Sequence, residues 1–391
     1  MRSRWAADPC LPYGVFDDGR GPRVGVRVGD AVLDLLAVFP DAQHLFGGGS
    51  LDALLAAGRT TWDSVRAAVQ RCGVDPSLQD AVAAALVPLS QVELRLPFTV
   101  ADYVDFYASE HHATNVGRLF RPDGDALPAA WKHLPIGYHG RAGTVVVSGT
   151  PVRRPSGQVR RDDGTVVLAP TSRLDVEVEV GFVVGRPSPL GRPVPLDDVD
   201  EHVFGMVLVN DWSARDVQAF EYVPLGPFLG KSFATSVSPW VVPLSALSHA
   251  RVPPPPRDPV PLEYLDDTDA EPWGLDVRLS LSVGGHVVSR PSLRTTYWTV
   301  AQQVAHLTVN GASLRTGDLL ASGTVSGPSR DQRGSLLELM ADGPLRLPDG
   351  STRTFLEDGD EVVISATAPG PAGSVLDLGE VRGTVVGPGS P

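Results

Sequence analysis

Apolar and polar residues alternate over several short stretches of the chain, a pattern typical of β-strands with one buried face. In PRVGVRVGDAVLDL (residues 22–35), Val24, Val26 and Val28 fall on one side, and Gly29-Asp30 provides a hairpin turn. Apolar spacing typical of helices follows over residues 51–71 and 80–89. We therefore expect residues 1–95 to form a separate, small, β-containing domain.

Strand patterns dominate from residue 145 onward. They recur in TVVVSGTPV, DVEVEVGFVVG, GMVLVND, LDVRLSLSVGGHVVSR and DEVVISAT. Residues 299–311 predict one helix that ends at Gly311, and the proline-rich residues 250–262 predict a loop because proline cannot donate to a strand ladder. Residues 96–391 are therefore expected to form a larger, mostly antiparallel domain, and the whole chain is predicted to be mainly β.

Composition and charge exclude several classes of protein. The 391 residues carry a net charge of −13, which argues against binding to nucleic acid or to an anionic membrane. No apolar run reaches the length of a membrane span, and the first ten residues show no apolar segment of a secretory signal. Two cysteines are too few for a disulfide framework, so we expect a soluble protein of the cytoplasm.

Three acids alternate with valines in LDVEVEVGF, which begins at Leu174. The two-residue period of a strand sends Asp175, Glu177 and Glu179 to one face. A solvated strand face would explain such a pattern. The apolar GFVV that follows favours a strand that enters a core, where a cation between the acids would remove their mutual repulsion.

Residues 205–236 hold the densest set of polar side chains. The apolar strand GMVLV delivers Asp211 at its end, and Arg215, Gln218 and Tyr222 follow at spacings of three and four, as on one side of a helical turn. A surface ion pair between Arg215 and its neighbour Asp216 is the simpler alternative. Only two of the 33 basic residues are lysines, Lys132 and Lys231, so a compact ammonium group is a candidate for special use at Lys231.

The stretch ADYVDFYASEHHATNVG (101–117) brings Asp105, Tyr107, His111 and His112 within eight positions. Its pattern is too mixed for an ordinary amphipathic helix, and VDF suggests an extended local structure. If four of the acids converge, they form an all-oxygen set that suits Ca²⁺, Mg²⁺ or Mn²⁺ better than Zn²⁺; these are Asp105, Glu177, Glu179 and Asp211. Spacing alone does not show that they converge.

At these residues the chain resembles the fumarylacetoacetase family. The matching segments run through nearly the whole chain and include LPYGVF, DYVDFYASEHHATNVG, HLPIGYHGRAGTVVVSGTPVRRPSGQ, VFGMVLVNDWSARDVQAFEYVPLGPFLGKSFATS, GDLLASGTVSGP and GSLLEL. The resemblance implies an N-terminal SH3-like barrel domain, a C-terminal β-roll domain and a homodimer. It also implies hydrolysis of 4-fumarylacetoacetate to fumarate and acetoacetate, the last step of tyrosine and phenylalanine breakdown.

The resemblance further implies a role for each candidate residue. Asp105, Glu177, Glu179 and Asp211 match the ligands of a calcium or magnesium ion. His112 matches a general base oriented by Glu338, whereas His111, where the family commonly has glutamine, is expected to be a bystander. The groups around the reacting carbonyl are Arg215, Gln218 and Lys231, and the substrate-binding positions are Tyr107, Arg121, Tyr138, Tyr222 and Thr324.

Two other functions stay open on the sequence. A related enzyme of the same superfamily would hydrolyse an acylpyruvate or decarboxylate oxaloacetate. A catalytically silent metal-binding or scaffold protein would lack the base or the lysine, and this chain has both His112 and Lys231. Ala234 stands where the family commonly has glycine; it is expected to tighten the loop after Lys231, which bears on substrate fit and removes no catalytic group.

Overall fold

The computed structural model describes residues 5, 9–121, 123–268 and 270–389. The expectation that no secretory signal is present rests mainly on residues 1–4 and 6–8, which lie outside this set. Within the described residues, no helix combines the length and the apolar character needed to cross a membrane.

Strands are the main element of the structure. In chain order they are β1 Tyr13–Asp17, β2 Pro22–Val28, β3 Ala31–Asp34, β4 Leu86–Pro88, β5 Glu93–Arg95, β6 Tyr103–Phe106, β7 Gly137–His139, β8 Val145–Val147, β9 Val152–Arg153, β10 Ser156–Arg160, β11 Val166–Pro170, β12 Leu174–Asp175, β13 Val178–Val184, β14 Val203–Asp211, β15 Ser213–Ala214, β16 Thr235–Val237, β17 Trp240–Pro243, β18 Arg251–Val252, β19 Gly274–Leu275, β20 Arg278–Val283, β21 His286–Ser289, β22 Leu319–Ala321, β23 Leu345–Arg346, β24 Thr352–Arg353, β25 Glu361–Pro369 and β26 Val375–Val386.

Helices are short by comparison. Those of the described residues are α1 Leu35–Val38, α2 Gln43–Phe46, α3 Asp52–Ala56, α4 Arg59–Cys72, α5 Gln79–Ala85, α6 Glu110–Phe120, α7 Val199–His202, α8 Arg215–Glu221, α9 Val300–Thr308 and α10 Leu336–Leu339. The prediction of a mainly β protein is therefore confirmed.

One large sheet organises the molecule, with strand order β4-β3-β2-β1-β17-β14-β13-β22-β6-β7. Strands from the first 95 residues thus continue directly into strands of the larger part. A second sheet has the order β21-β20-β25-β26-β9. Most neighbouring strands are antiparallel, but three pairs of the described strands are parallel: β22 with β6, β16 with β8 and β26 with β9.

The central strands are buried on both faces. Odd-numbered side chains such as Val183, Val207 and Leu319 pack in one core with the N-terminal residues, including Val24 and Leu54. Even-numbered side chains of the same strands, Val180, Phe182, Leu208 and Leu320, pack in a second core with the C-terminal strands. Double burial explains the continuous apolar runs of β13 and β14.

Local patterns predicted several elements correctly and misjudged others. The hairpin turn at Gly29-Asp30 joins β2 to β3, and α9 falls within residues 299–311 as predicted. The single helical stretch expected over 51–71 was wrong, because Gly58 at φ 81° separates α3 from α4. The helical pattern at 80–89 also ends early, since residues after Ala85 pair with β3 as β4.

Candidate metal centre and hydrolytic site

Strand register places three of the predicted acids on one face of the large sheet. Glu179 of β13 pairs with Val209, so Asp211, two residues further along β14, points the same way. Asp105 pairs with Ala321, which itself pairs with Gly181 of β13. The odd-numbered face that packs on the N-terminal part therefore ends in a group of carboxylates.

Glu177 completes this group from the segment just before β13. The four acids Asp105, Glu177, Glu179 and Asp211 are buried, and each offers a carboxylate oxygen within 4.8 Å of the other three. The convergence that spacing could not establish is thus present in the fold. The third alternating acid of the sequence pattern, Asp175, lies outside this group.

Two positively charged side chains contact only part of the cluster of four acids. Lys231 donates from Nζ to Glu177 and, over 2.7 Å, to Oδ2 of Asp211. Arg215 donates from Nη2 to Glu177 over 2.7 Å. By contrast, Oδ1 of Asp105 and both carboxylate oxygens of Glu179 are buried without a hydrogen-bond partner.

The acids that have a positively charged partner differ in pKa from those that do not. Burial and the nearby charge of Asp211 raise the pKa of Asp105 well above its ordinary value, and burial with Asp105 does the same to Glu179. Burial would also raise the pKa of Glu177, but Lys231 and a neighbouring guanidinium hold it well below its ordinary value. Two buried acids therefore lack a positive partner.

These residues fit a hard divalent cation. The donors are all oxygen atoms, three of these oxygens have no hydrogen-bond partner, and two of the acids lack a positively charged side chain beside them. Calcium, magnesium and manganese prefer such carboxylate oxygens, whereas zinc prefers nitrogen and sulfur. A divalent ion at this place would satisfy the orphaned oxygens and remove the repulsion.

A histidine–carboxylate pair lies beside the acids. His112 sits in the first turn of α6, where the Ser109 hydroxyl accepts from its backbone N–H over 3.3 Å. Its Nδ1 contacts Oε2 of Glu338 at 2.7 Å, and its Nε2 lies 3.8 Å from Oε1 of Glu177. When the Nδ1–H donates a hydrogen bond to Glu338, the Nε2 lone pair is directed away from Glu338.

Glu338 is held by a network that the sequence interpretation missed. Its oxygens accept hydrogen bonds, each of 2.9 Å, from Asn115, Ser326 and Ser335. Burial would raise the pKa of Glu338, but His112 and these donors hold it below its ordinary value. The pattern SLLE, a helix-capping box, was a local signal for the role of Ser335.

The helix α8 carries Arg215 and Gln218 on the side that the spacing predicted. Arg215 Nη1 donates to the Gln218 side chain over 3.1 Å, and its Nε donates to Asp175 over 2.8 Å. The alternative of a surface ion pair between Arg215 and Asp216 is wrong, because Arg215 is buried and Asp216 instead accepts from Ser172.

A cavity of about 530 Å³ opens onto these groups. The predicted residues that line it are Asp105, Tyr107, His112, Arg121, Tyr138, Glu177, Arg215, Gln218, Tyr222, Lys231 and Thr324. Glu179, Asp211 and Glu338 lie behind this lining, within contact of its members. His111 is half-buried and is not among the described residues that line the cavity.

The five predicted substrate-binding residues differ in the contacts that their side chains make. Tyr138 donates to Asp211 over 3.2 Å, and Arg121 donates to the backbone of Asp125 and Ala126. Tyr107 packs edge-on against the His112 ring. The remaining two, Tyr222 and Thr324, stand on the cavity wall.

Comparison with known proteins identifies the family. Residues 10–97 match the model described as fumarylacetoacetase N-terminal, and residues 102–386 match the one described as fumarylacetoacetate (FAA) hydrolase C-terminal. The chain belongs to the fumarylacetoacetate hydrolase family. Family members named fumarylacetoacetase are similar to it over 96% of its length: the human protein is 46% identical and the Caenorhabditis elegans protein 45% identical, each covered to 95%.

Solved structures share the fold at low sequence identity. A fumarylacetoacetate hydrolase from Exiguobacterium antarcticum is 18% identical with a TM-score of 0.58, with 96% of this chain and 99% of that one covered. A maleylpyruvate hydrolase from Sphingobium sp. SYK-6, in complex with manganese(II) ion and pyruvate, is 16% identical with a TM-score of 0.53, with 97% and 100% covered.

Proposed function

We propose that the protein hydrolyses the carbon–carbon bond of 4-fumarylacetoacetate to give fumarate and acetoacetate. The observation that carries this proposal is one cavity onto which a histidine–carboxylate pair, two buried cations and an acid cluster all open. The near-full-length similarity to fumarylacetoacetases supports the substrate. Hydrolysis by this route needs a base for water, a polarised carbonyl and a place for the departing carbanion.

His112 is the base of the proposed reaction. With its Nδ1–H donating a hydrogen bond to Glu338, its Nε2 can take a proton from water in the cavity, and the Glu338 carboxylate stabilises the imidazolium that forms. The hydroxyl adds to the fumaryl carbonyl carbon. The bond from that carbon to the acetoacetyl carbon then breaks, and the proton passes to the carbon that leaves.

Arg215, Gln218 and Lys231 are the proposed donors to the oxygen that becomes negative when water adds. All three line the cavity, and a buried donor of this kind lowers the barrier by roughly 3 to 4 kcal/mol. A divalent cation held by the four acids would act as a Lewis acid toward the diketone oxygens and the leaving enolate. Tyr107, Arg121, Tyr138, Tyr222 and Thr324 are proposed to bind the diketo diacid.

The proposal extends to finer features that the family resemblance implies. Residues 1–95 are an SH3-like barrel domain and residues 96–391 a β-roll, a division supported by the separate N-terminal and C-terminal family matches. The resident ion is Ca²⁺ or Mg²⁺, with Mn²⁺ a further option, as the all-oxygen donors favour. The protein works as a cytoplasmic homodimer at the end of tyrosine and phenylalanine breakdown.

A substrate panel tests the proposal. Purified protein is given fumarylacetoacetate, an acylpyruvate and oxaloacetate at equal concentrations, and kcat/KM is measured for each. We expect fumarylacetoacetate to exceed the other two by at least about 100-fold, since the near-full-length relatives of this chain are fumarylacetoacetases. Equal or faster turnover of oxaloacetate, with release of carbon dioxide, would instead support a decarboxylase.

A further inference from the structure

Asp175 is a fully buried carboxylate whose four hydrogen bonds reach two different parts of the site. Oδ2 accepts from Arg215 Nε at 2.8 Å and from the backbone N–H of Leu337 at 3.2 Å. Oδ1 accepts from the backbone N–H groups of Val176 and Leu336, both at 2.8 Å. Its accessible surface is 0%, so no water competes for these contacts.

The two parts held by Asp175 have different chemical tasks. Arg215 belongs to the group that faces the reacting carbonyl. Leu336 and Leu337 begin α10, the four-residue helix that carries Glu338 and so orients His112. One carboxylate therefore fixes the distance between the carbonyl donors and the base.

We propose that Asp175 is a positioning residue that aligns the Arg215–Gln218 pair with the His112–Glu338 pair. It does this as a hydrogen-bond acceptor and not as a metal ligand, since it lies outside the cluster of the four acids Asp105, Glu177, Glu179 and Asp211. The inference rests on the proposed function, because alignment of these two pairs matters only if both act on one substrate.

Asparagine at this position cannot serve both parts. Its single oxygen can keep the N–H groups of Val176 and Leu336, but its NH₂ would then face the N–H donors of Arg215 and Leu337. Donor against donor is repulsive, and buried Arg215 would lose one of its two carboxylate partners. Asp175→Asn thus changes alignment at nearly constant volume.

The chain contains a matched control. Asp34 is also buried, accepts from Arg23 Nη1 at 2.5 Å, and caps the four-residue helix α1 through the N–H groups of Leu36 and Ala37. It lies outside the described residues that line the cavity. Asp34→Asn therefore has a comparable structural cost without a link to the site.

The experiment measures kcat, KM, melting temperature and Mn²⁺ affinity by calorimetry for both variants. We expect Asp175→Asn to lower kcat on the order of 100-fold while KM and Mn²⁺ affinity stay within about three-fold of wild type. Asp34→Asn should lower the melting temperature at least as much and keep kcat. An unchanged kcat in Asp175→Asn would overturn the inference. A loss of Mn²⁺ affinity of about tenfold in that variant, as expected when a residue that supports the metal site is changed, would overturn it too.

A double mutant separates positioning from a general structural role. If Asp175 acts through Arg215, adding Asp175→Asn to Arg215→Lys should cost little beyond Arg215→Lys alone. Losses that simply multiply would contradict this. A wild-type protein inactive on fumarylacetoacetate would refute the proposed function, whereas an active wild type with an equally active Asp175→Asn would refute only the inference.

A second pair of variants tests the contact should Asp175→Asn fail to fold. Leu337→Pro removes the N–H that donates to Asp175, in the first turn of α10 where no carbonyl of the helix pairs with that N–H, and Leu337→Ala removes the same side chain but keeps the N–H. We expect kcat of Leu337→Pro to fall about tenfold below that of Leu337→Ala. Equal kcat values in these two variants would overturn the inference.

Discussion

His112 and Glu338 are separated by 226 positions in the chain, and the 2.7 Å contact between them makes the two side chains one functional group. Groups that act as a unit give losses that do not multiply. We expect His112→Ala and Glu338→Gln each to reduce kcat by about 10³-fold or more, and the double mutant to be hardly worse than His112→Ala.

Steady-state kinetics of the three variants, with His111→Gln as the matched control, checks this prediction. His111 lies outside the described cavity lining, so its replacement should leave kcat within about three-fold of wild type. Abolished turnover in His111→Gln together with active His112→Ala would mean that the wrong imidazole has been chosen.

A second prediction concerns the buried ammonium group of Lys231. Its ammonium group is buried and lines the cavity, and the two carboxylates that it contacts raise its pKa above the ordinary value despite the opposing effect of burial. Because an oxyanion exists only in the transition state, Lys231→Met should lower kcat about 10²- to 10³-fold with a smaller change in KM.

The other lysine of the chain is the control for that measurement. Lys132 pairs with Glu110 at 2.6 Å on the outside of α6, and Lys132→Met should leave kcat near that of wild type. A change confined to KM in Lys231→Met would reassign Lys231 to the binding of a substrate carboxylate.

Among the elements, the strands were predictable and α6 was not. Strand stretches such as GMVLVND carry an unbroken apolar signal because both faces of β14 are buried. Residues 110–120 were not predicted to be helical, since their polar residues Asn115 and His112 point inward to Glu338 and so break the apolar stripe. Local patterns miss an element whose buried face carries function.

Convergence of the acids was beyond the sequence for a related reason. Asp105 and Glu179 meet only through the register of β6, β22 and β13, which depends on pairing between strands far apart in the chain. The family resemblance supplied what spacing could not, including the selection of Glu338. It did not supply Asn115 or Ser326, which act on that carboxylate through hydrogen bonds.

For Gly117 we expect replacement by alanine to destabilise the protein, which is the opposite of what helix propensity alone predicts. In an exposed helix, Gly→Ala stabilises by about 1 kcal/mol. Here a Cβ atom would lie 1.8 Å from the carbonyl oxygen of Ala126 and 2.8 Å from Nη2 of Arg121, so the loop after α6 would have to move. Gly117→Ala should therefore destabilise the protein by roughly 1 to 3 kcal/mol.

Chemical denaturation of Gly117→Ala and Thr114→Ala checks this point. Thr114 lies in the same helix and is only partly buried, so alanine there should be neutral or slightly stabilising. An equal gain in both variants would show that the helix and its following loop are not packed as described.

The turn before β22 gives a pH-dependent prediction. Burial raises the pKa of Asp318 to about 6, against the effect of the hydrogen bond from the backbone N–H of Arg315. Between pH 4 and pH 6 the unfolded state loses its proton first, so stability falls as pH rises through this window and is then constant. Asp318→Asn should stabilise the protein by about 1 kcal/mol at pH 7 and have little effect at pH 4.

Unfolding free energies of wild type and Asp318→Asn from pH 4 to pH 8 test this prediction. Asp102→Asn, which changes a half-exposed carboxylate 3.6 Å from the same Arg315, should show a smaller difference between pH 4 and pH 7 than Asp318→Asn. A stabilisation by Asp318→Asn that is equal at pH 4 and pH 7 would show that the Asp318 carboxyl does not hold its proton in the folded protein at pH 4.

At the scale of the whole molecule, the site depends on the sheet that joins the two parts of the chain. The odd-numbered face of the central strands is covered by N-terminal residues and ends in the acids, so the packing of the N-terminal part supports the strands that carry them. A chain with a net charge of −13 thus holds two cations where an anionic substrate would bind. The negative overall charge disfavours binding of anionic polymers but leaves a local site for a small diacid.

The central claim is that this acid cluster binds a divalent ion required for carbon–carbon bond hydrolysis. The most direct test measures formation of fumarate and acetoacetate from fumarylacetoacetate by protein shown to be metal-free by elemental analysis, before and after addition of Ca²⁺, Mg²⁺ or Mn²⁺. We predict no turnover without metal and equimolar formation of both products once one of these ions is added. Full turnover by the metal-free protein would contradict this account.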